Sequence, residues 1–395
     1  MMKNEIKRLS DLYCFSEDII EKLTVVYGAK VEACLRALKT PCSRYSIRVN
    51  TLKIDPASLI SRLTKKGIEA ENHAEIPEAI FLMVEGPFKL PETKKNIVAD
   101  RFSSESILQG SHLYAPGVVK CEGIKRGDKV TIVSEYGQAV GVGMARMGET
   151  EILTYRHGLA VEVTDPIFGL PSLREMAEFK LGYIYPQSFP AIVTSRVLDP
   201  KPGETIVDMC AAPGGKMSHI AQLTQNEGTI LAVDRNQEKI KKIRETIALL
   251  GVKNVKPICH DSRYLDVDLP HLKADRVIID PPCSALGARP KLYDNKNSAE
   301  IQALANYQKQ FLKVASEIVK PGGVVVYSTC TLTLEENEFV VKFGVEDCGL
   351  EVEKQDYFYG SPGMMKVFPK SGLMQRFYPD VQGTPGHFIA KMRAP

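Results

Sequence analysis

The chain lacks the features that place a protein in a membrane or in an oxidising compartment. No segment approaches the ~18 consecutive apolar residues of a membrane-spanning helix, and residues 1–5 lack the apolar core of a secretory signal. The nine cysteines are scattered and odd in number, and no Cys-x-x-Cys pair occurs, which argues against a disulfide framework and a zinc ribbon. We therefore expect a cytoplasmic protein with reduced thiols, no metal and no membrane partner.

The chain also has little net charge, +3 over 395 residues. This balance neither requires nor excludes a nucleic-acid partner, so any basic surface must be local. A hydrophobic content of 44% and a charged content of 25% are ordinary for a globular protein. The length allows two or three domains with sizeable cores.

Residues 1–95 mix helical and strand patterns. Ser16, followed by apolar residues at helical spacing, predicts a capped amphipathic helix, and residues 31–38 predict another. Residues 45–53 alternate as a strand does. Three basic residues on or beside this strand either contact phosphates or form a solvated strand face: Arg44, Arg48 and Lys53.

Residues 96–168 have a different pattern, in which short apolar segments alternate with glycine turns. Such frequent punctuation predicts a small β-barrel or sandwich. The predicted strands cover residues 117–119, 127–133, 139–145 and 159–163. Six basic residues here either bind RNA or form a solvated surface: Lys120, Lys125, Arg126, Lys129, Arg146 and Arg156.

From residue 169 onwards, alternating strand and helix patterns predict βαβ units and a mostly parallel sheet. A strand at 205–209 leads into the small-residue loop 210–216, where the backbone can approach a ligand closely, and then into a helix. Three later strands end in acids at one edge of the sheet: Asp234, Asp261 and Asp280. In doubly wound folds an acid about 20 residues past the loop binds ribose hydroxyls.

Two nucleotide-binding patterns are missing from this half. Neither Gly-x-Gly-x-x-Gly nor Gly-x-x-x-x-Gly-Lys-Ser/Thr occurs, which disfavours dinucleotides and nucleoside triphosphates. An adenosine-containing cofactor without a pyrophosphate fits better. We therefore predict S-adenosyl-L-methionine.

Two strands of this sheet end in a thiol. Residues 277–279 lead into Asp280, two prolines that stop the strand, and Cys283, while residues 322–329 lead into Cys330. Because these strands are expected to be neighbours, both thiols should face the edge that bears the acids. The following Thr333 to Glu336 stretch predicts a capping box that opens the next helix.

Two thiols and a carboxylate match the requirements of methylation at carbon 5 of cytosine. A thiolate that adds to carbon 6 makes carbon 5 nucleophilic enough to accept a methyl group. A base must then remove the proton from carbon 5 so that the enzyme is released. The residues alone leave open which of the two cysteines attacks.

Three motifs strongly resemble those of the Sun-domain (Nop2/Sun) RNA cytosine-5 methyltransferases: Asp208 to Lys216, Asp280 to Ser284, and Ser328 to Cys330. The resemblance implies that Cys330 is the nucleophile and that Cys283 assists product release. It also implies that Asp280 and Lys216 contact the target base. The methyl-donor pocket implied by the resemblance comprises Cys210, Ala211, Ala212, Pro213, Gly214, Gly215, Lys216, Asp234, Asp261 and Asp280.

Further motifs narrow the resemblance to one branch of this family. Residues 111–118, 124–130 and 140–143 resemble a PUA domain, and residues 287–291 and 331–338 resemble the PUA-containing branch. That branch methylates cytosine 72 of the tRNA acceptor stem, with the PUA domain holding the CCA end. Ala285 departs from the glycine of many family members, and residues 387–392 resemble the closing antiparallel strand.

We therefore expect an α/β protein of three parts. These are an N-terminal α+β RNA-binding region (1–95), an inserted β-barrel PUA domain (96–168) and a Rossmann-like class I methyltransferase domain (169–395). The last should contain a mostly parallel sheet with one antiparallel strand. The expected activity is S-adenosylmethionine-dependent cytosine-5 methylation of tRNA by a monomer.

Three alternatives remain open. The same chemistry could act on ribosomal RNA, or the fold could serve as a non-catalytic RNA-binding factor. A DNA or small-molecule methyltransferase is the third alternative, and the DNA enzyme would move the nucleophile to Cys283.

Overall fold

The computed structural model describes residues 3–395, so the first two residues of the expected N-terminal region lie outside it. The chain begins with three helices: α1 (Lys3–Tyr13), α2 (Glu17–Tyr27) and α3 (Val31–Leu38). Ser16 caps α2 as predicted, because its Oγ accepts the Ile19 N–H at 3.3 Å. The apolar faces of these helices pack together and against Leu286 and Leu332 of the C-terminal half.

A small α+β unit follows, with the elements β1 (Arg44–Val49), α4 (Pro56–Thr64), β2 (Ala70–Asn72) and β3 (Ala79–Met83). Strand β3 lies between β1 and β2 in antiparallel pairing. Arg48 on β1 is 0% exposed, so the expectation that it contacts phosphates or lies on a solvated face is wrong. Its guanidinium instead points into the domain interface, where it donates to Gln187 Oε1 at 2.6 Å and Ser218 Oγ at 2.7 Å.

The next unit is a six-stranded sheet with order β5-β9-β8-β7-β4-β6. Its elements are β4 (Asn96–Ala99), α5 (Arg101–Ile107), β5 (Leu113–Tyr114), β6 (Val118–Lys120), β7 (Lys129–Ser134), β8 (Ala139–Ala145), α6 (Glu149–Tyr155) and β9 (Leu159–Pro166). The alternating burial of β7 places Val130 and Ile132 in an apolar core. The four strands predicted from glycine punctuation are therefore confirmed.

The chain then returns to the first sheet before it enters the C-terminal domain. The connecting elements are α7 (Ala177–Lys180), β10 (Ile184–Pro186) and α8 (Phe189–Leu198). Strand β10 pairs with β1, which completes the order β10-β1-β3-β2. The N-terminal sheet thus contains strands that precede the inserted β-barrel in the sequence and one strand that follows it.

The C-terminal domain contains a nine-stranded sheet with order β13-β12-β11-β14-β15-β19-β18-β17, in which β16 also pairs with β19. Its strands are β11 (Thr205–Asp208), β12 (Thr229–Asp234), β13 (Val255–Cys259), β14 (Ala274–Ile279), β15 (Val319–Thr329), β16 (Glu351–Val352), β17 (Ser361–Pro362), β18 (Gln375–Phe377) and β19 (His387–Arg393). Its helices are α9 (Gly215–Leu223), α10 (Gln237–Leu250), α11 (Leu265–Asp268), α12 (Ser298–Ile318) and α13 (Glu338–Glu346). Strands β11 to β15 pair in parallel and β19 is antiparallel to β15, as expected, with three short strands added at this end.

Helices cover both faces of this sheet, which is why its central strands are apolar without alternation. Ile206 and Ile278 pack on the face covered by α8, α9 and α10. Val207 and Val277 pack on the opposite face, against α12 and α13. Burial on both faces leaves the carboxyl ends of the strands as the place where polar side chains can meet a ligand.

The segments that follow the two thiols take positions that the sequence did not predict. The capping-box prediction at Thr333 is wrong, because α13 begins at Glu338 with Asn337 before it. The loop after Cys283 reaches into the β-barrel, where Leu292 and Tyr293 join its apolar core. Among residues 3–395, no helix combines the length and the apolarity needed to cross a membrane.

Candidate active site

The loop between β11 and α9 shapes the floor of the site. Gly214 has a φ of 110°, a backbone conformation that residues with a Cβ rarely adopt, so glycine is strongly favoured there. Thr246 on α10 secures the loop by donating to the Pro213 carbonyl at 2.7 Å. Arg48 supports it from below, since its guanidinium donates to the Gly215 carbonyl.

Two adjoining cavities lie at the carboxyl ends of the strands. The first has a volume of about 290 Å³ and the second about 180 Å³, and both are lined by Cys210, Ala212 and Asp280. The first also contains the acids of β12 and of the loop after β13, together with both thiols: Asp234, Asp261, Cys283 and Cys330. The second also contains the rest of the loop and the start of α9: Ala211, Pro213, Gly215 and Lys216.

The structure thus brings together every residue predicted for the site except Gly214, which lines neither cavity. Asp234 is nearly buried, and Lys239 Nζ lies 3.3 Å from its Oδ1. Asp261 accepts three hydrogen bonds from the Arg263 guanidinium, which keep the pKa of this carboxyl below its ordinary value. Ala285, which also lines the first cavity, has a φ of 54°, in the left-handed region that favours glycine.

Sequence reasoning missed two aromatic side chains of the first cavity. Tyr307 and Phe311 lie four residues apart on one face of α12 and both line this cavity. The Arg263 guanidinium lies 4.8 Å from the centroid of the Tyr307 ring. The only sequence signal was their helical spacing, which a core-facing helix shows equally well.

Lys216 and Asp280 form an ion pair between the two cavities. Burial alone would lower the pKa of Lys216, but the Asp280 carboxylate outweighs it and raises that pKa, so the ammonium stays charged. Ser328 at the end of β15 donates to Asp280 Oδ1 at 3.3 Å. The carboxylate of Asp280 is therefore held in place from two neighbouring structural elements.

Asp208 lies behind this ion pair and has a different environment. Burial raises the pKa of Asp208 to about 7, although the charge of Lys216 opposes the rise. Its Oδ1 accepts the Cys210 N–H at 3.3 Å, while Oδ2 has no hydrogen-bond partner among the described residues. Asp208 lines the second cavity, and its unpartnered Oδ2 is buried behind the ion pair.

The two thiols at the ends of β14 and β15 are in direct contact, with Sγ atoms 3.3 Å apart. The hydrogen bond from Cys283 lowers the pKa of Cys330, and the charges of Lys216 and Lys291 act in the same direction. The same contact, together with burial, raises the pKa of Cys283. The opposite pKa directions and the nearby lysines therefore favour Cys330 as the thiolate and Cys283 as its protonated partner.

Two other titratable groups near the pair stay neutral. Burial, with three carboxylates nearby, raises the pKa of the Cys210 thiol well above its ordinary value. Burial lowers the pKa of His387 to about 3, and its Nε2 lies 3.2 Å from Thr194 Oγ1. The protonated Cys210 thiol does not compete with the Cys330 thiolate as a nucleophile at neutral pH, and His387 adds no positive charge beside the pair.

A doubly covered parallel sheet with a small-residue loop, strand-end acids and a thiol pair defines a Rossmann-like methyltransferase domain. The family model described as 16S rRNA methyltransferase RsmB/F matches residues 195–393. Models described as a PUA domain and as an RsmF/B-like ferredoxin-like domain match residues 95–167 and 16–89. The chain belongs to the RsmB/F family of Sun-domain methyltransferases and carries its PUA domain, which confirms the resemblance of the motifs.

Relatives match along most of the chain. The tRNA (cytosine(72)-C(5))-methyltransferase of Pyrococcus horikoshii is 46% identical, over 97% of each chain. The mouse tRNA (cytosine(72)-C(5))-methyltransferase NSUN6 is 31% identical, over 89% of this chain and 82% of its own length. The crystal structure of NSun6 from Pyrococcus horikoshii with SFG is 44% identical and has a TM-score of 0.89, covering 97% of this chain and 99% of that one.

Proposed function

We propose that this protein is an S-adenosylmethionine-dependent tRNA cytosine-5 methyltransferase that acts on position 72 of the acceptor stem. The observation that carries the proposal is the thiol pair, 3.3 Å apart beside the ion pair of Lys216 and Asp280. One activated thiol, a second thiol and a base-binding pair are what carbon-5 chemistry requires. The relatives that match both halves of the chain and carry the tRNA name support the substrate.

The two cavities fit the methyl donor. The carboxylates can accept hydrogen bonds from the ribose hydroxyls and the adenine amino group, and Tyr307 and Phe311 offer apolar surfaces to the adenine ring. The N-terminus of α9 favours the negatively charged carboxylate of the methionine part. When bound, S-adenosylmethionine supplies the sulfonium methyl group. The residues that would hold it are Cys210, Ala211, Ala212, Pro213, Gly214, Gly215, Lys216, Asp234, Asp261 and Asp280.

The residues around the thiols divide the remaining steps. The thiolate of Cys330 forms a bond to carbon 6 of the cytosine, while Asp280 and Lys216 hold the polar edge of the ring. Once Cys330 is consumed in that bond, Cys283 is the titratable thiol next to the adduct. We assign to Cys283 the removal of the carbon-5 proton. Cys283 first releases its own proton to solvent, and as a thiolate it then takes the proton from carbon 5 of the methylated adduct. The carbon–sulfur bond breaks, the Cys330 thiolate returns, and one proton leaves for each methyl group transferred.

The PUA domain offers a surface for the single-stranded CCA end. A cavity of about 610 Å³ separates this domain from residues 170–175. Phe102 and Tyr114 line it and are 69% and 53% exposed, and exposed aromatic rings stack on unpaired bases. These exposed rings support a model in which the PUA domain binds the CCA end and thereby sets its distance from the active site. The first base pair of the acceptor stem would then open so that the target base can reach Cys330.

The matched segments also support the proposed division of the chain. The N-terminal region covers residues 1–95, the PUA domain 96–168 and the methyltransferase domain 169–395. We propose that the protein acts as a monomer without a metal. The single site within one chain supports the first of these, since its thiols, acids and lysine all come from one protomer.

The test is bisulfite sequencing of tRNA and ribosomal RNA after incubation with the enzyme and S-adenosylmethionine. We expect conversion-resistant cytosine at position 72 of tRNA with the wild-type protein and none with Cys330→Ala. A tRNA transcript that lacks the CCA end tests the role of the PUA domain and should be methylated poorly. Methylation confined to ribosomal RNA would overturn the substrate, and full activity of Cys330→Ala would overturn the mechanism.

A further inference from the structure

A buried carboxylate connects the loops that carry the two thiols. Glu336 is 0% exposed, although the capping-box prediction would have placed it on a helix surface. It accepts four hydrogen bonds, from Ser284 N at 2.8 Å, Ser284 Oγ at 2.5 Å, Thr333 Oγ1 at 2.9 Å and Gln308 Nε2 at 3.1 Å. All four donors are neutral groups, so hydrogen bonds alone satisfy the two oxygens of this buried carboxyl group.

These four bonds join the two halves of the thiol pair. Ser284 directly follows Cys283, and Thr333 lies three residues after Cys330. Gln308 adds a bond to the Pro282 carbonyl at 2.9 Å, so Cys283 is held on both sides. The carboxyl group of Glu336 thus ties the loop of Cys283 to the loop of Cys330, beside the contact of Ser284 Oγ with Thr331 Oγ1 at 2.6 Å.

The charge also has a chemical consequence for the pair. The carboxylate bonds the peptide N–H directly after Cys283, whereas the cations Lys216 and Lys291 act on Cys330. Asp280 faces both thiols. A negative charge beside one thiol and positive charges beside the other make the pair asymmetric.

We propose that Glu336 is the positioning residue of the thiol pair, which holds Cys283 against Cys330 and keeps the proton on Cys283. This role explains how two thiols at the ends of adjacent strands take different parts in one reaction. The use of this role in catalysis rests on the proposed function, whereas the difference between the two thiols is a property of the free protein.

The variant Glu336→Gln separates the charge from the hydrogen bonds. Its amide oxygen can accept from Ser284 N and Gln308 Nε2, while the hydroxyls of Ser284 and Thr333 can turn to accept from its amide nitrogen. The tie between the loops is then kept and only the charge is lost. Thr333→Val is the matched control, because it removes one hydrogen bond of the cluster and leaves the charge.

The test is alkylation of the free protein with iodoacetamide, followed by mass spectrometry of the two cysteine peptides. Both thiols line the same cavity, so reagent access is shared. We expect preferential labelling of Cys330 in the wild type and in Thr333→Val. In Glu336→Gln the ratio should move toward Cys283 by about tenfold, which is the effect of removing one neighbouring charge.

An unchanged ratio in folded Glu336→Gln overturns the proposal. Equal labelling of both thiols in the wild type overturns it as well, and that measurement holds even if the variant does not fold. Thermal unfolding of each variant distinguishes folding defects from the chemical effect. A wild-type protein that labels as expected but methylates no tRNA would refute the proposed function and leave the role of Glu336 standing.

Discussion

Removal of the Cys283 thiol should slow attack by Cys330 and block release of the product. The two Sγ atoms lie 3.3 Å apart, and a hydrogen bond from Cys283 is the largest cause of the lowered pKa of Cys330. A hydrogen bond to a charged acceptor contributes about 1.5–3 kcal/mol. Because Lys216 and Lys291 remain, Cys283→Ala should still form the RNA adduct, roughly 10- to 100-fold more slowly at neutral pH.

The variant Cys283→Ser separates the two roles. Its hydroxyl can still donate to the Cys330 thiolate, so the adduct should form at close to the wild-type rate. A serine hydroxyl cannot take up the carbon-5 proton in the way a thiolate can. Both variants should therefore accumulate a covalent adduct, and only their rates of adduct formation should differ.

The assay is a single-turnover reaction with tRNA, resolved on a denaturing gel that retains the covalent protein–RNA species. The wild type should show a transient adduct and Cys330→Ala none. Normal turnover by Cys283→Ala would refute its role in release. An adduct that forms without Cys330 but requires Cys283 would refute the assignment of the nucleophile.

Three further predictions concern stability. Burial raises the folded-state pKa of Asp208 to about 7. The unfolded chain therefore loses this proton first as the pH rises, and the free energy of unfolding falls between about pH 4 and pH 7. Asp208→Asn should raise the free energy of unfolding in urea by about 1–3 kcal/mol at pH 8, and this gain should vanish below pH 4. His387 is the opposite case, because burial lowers its folded-state pKa from 6.5 to about 3 and its stabilising contribution is lost as the pH falls through that interval. In His387→Gln the free energy of unfolding should fall less steeply between pH 6.5 and pH 3. An unchanged dependence on pH would contradict burial of a neutral imidazole. Arg101 pairs at 2.9 Å with Asp294, which is 1% exposed, and Lys291 and Lys296 pair with the same carboxylate at 3.2 and 2.9 Å. Because the two lysines keep the buried charge compensated, Arg101→Met should cost only about 2 kcal/mol. Lys201→Met, which breaks the exposed pair with Asp199, should cost less than about 1 kcal/mol, and equal losses would show that the contact between the PUA domain and the catalytic loop is not the stabilising one.

Local patterns predicted much of the sheet. The unbroken apolar segments before Asp208, Asp234 and Asp280 became parallel strands, because burial on both faces requires apolar side chains at every position. Parallel strands end at one edge, so the acids and both thiols were expected together, and the cavities contain them. The family followed from the same motifs.

Residues whose role depends on distant partners could not be assigned in this way. Arg48 has the alternation of a strand-surface residue, yet the later return of β10 and the packing of α9 bury it completely. Tyr307 and Phe311 show only helical spacing, and the placement of α12 over the strand ends makes them part of the cavity.

The thiol pair shows the same division most clearly. Local patterns are enough to predict that two cysteines follow two strands, because strand length and the proline stop are local properties. The difference between the two thiols arises from packing. Glu336, expected in a capping box, turns inward to Ser284, while the charges of Lys216 and Lys291 act on Cys330. Electrostatic asymmetry depends on through-space distances between charges, and those distances exist only once the chain has packed.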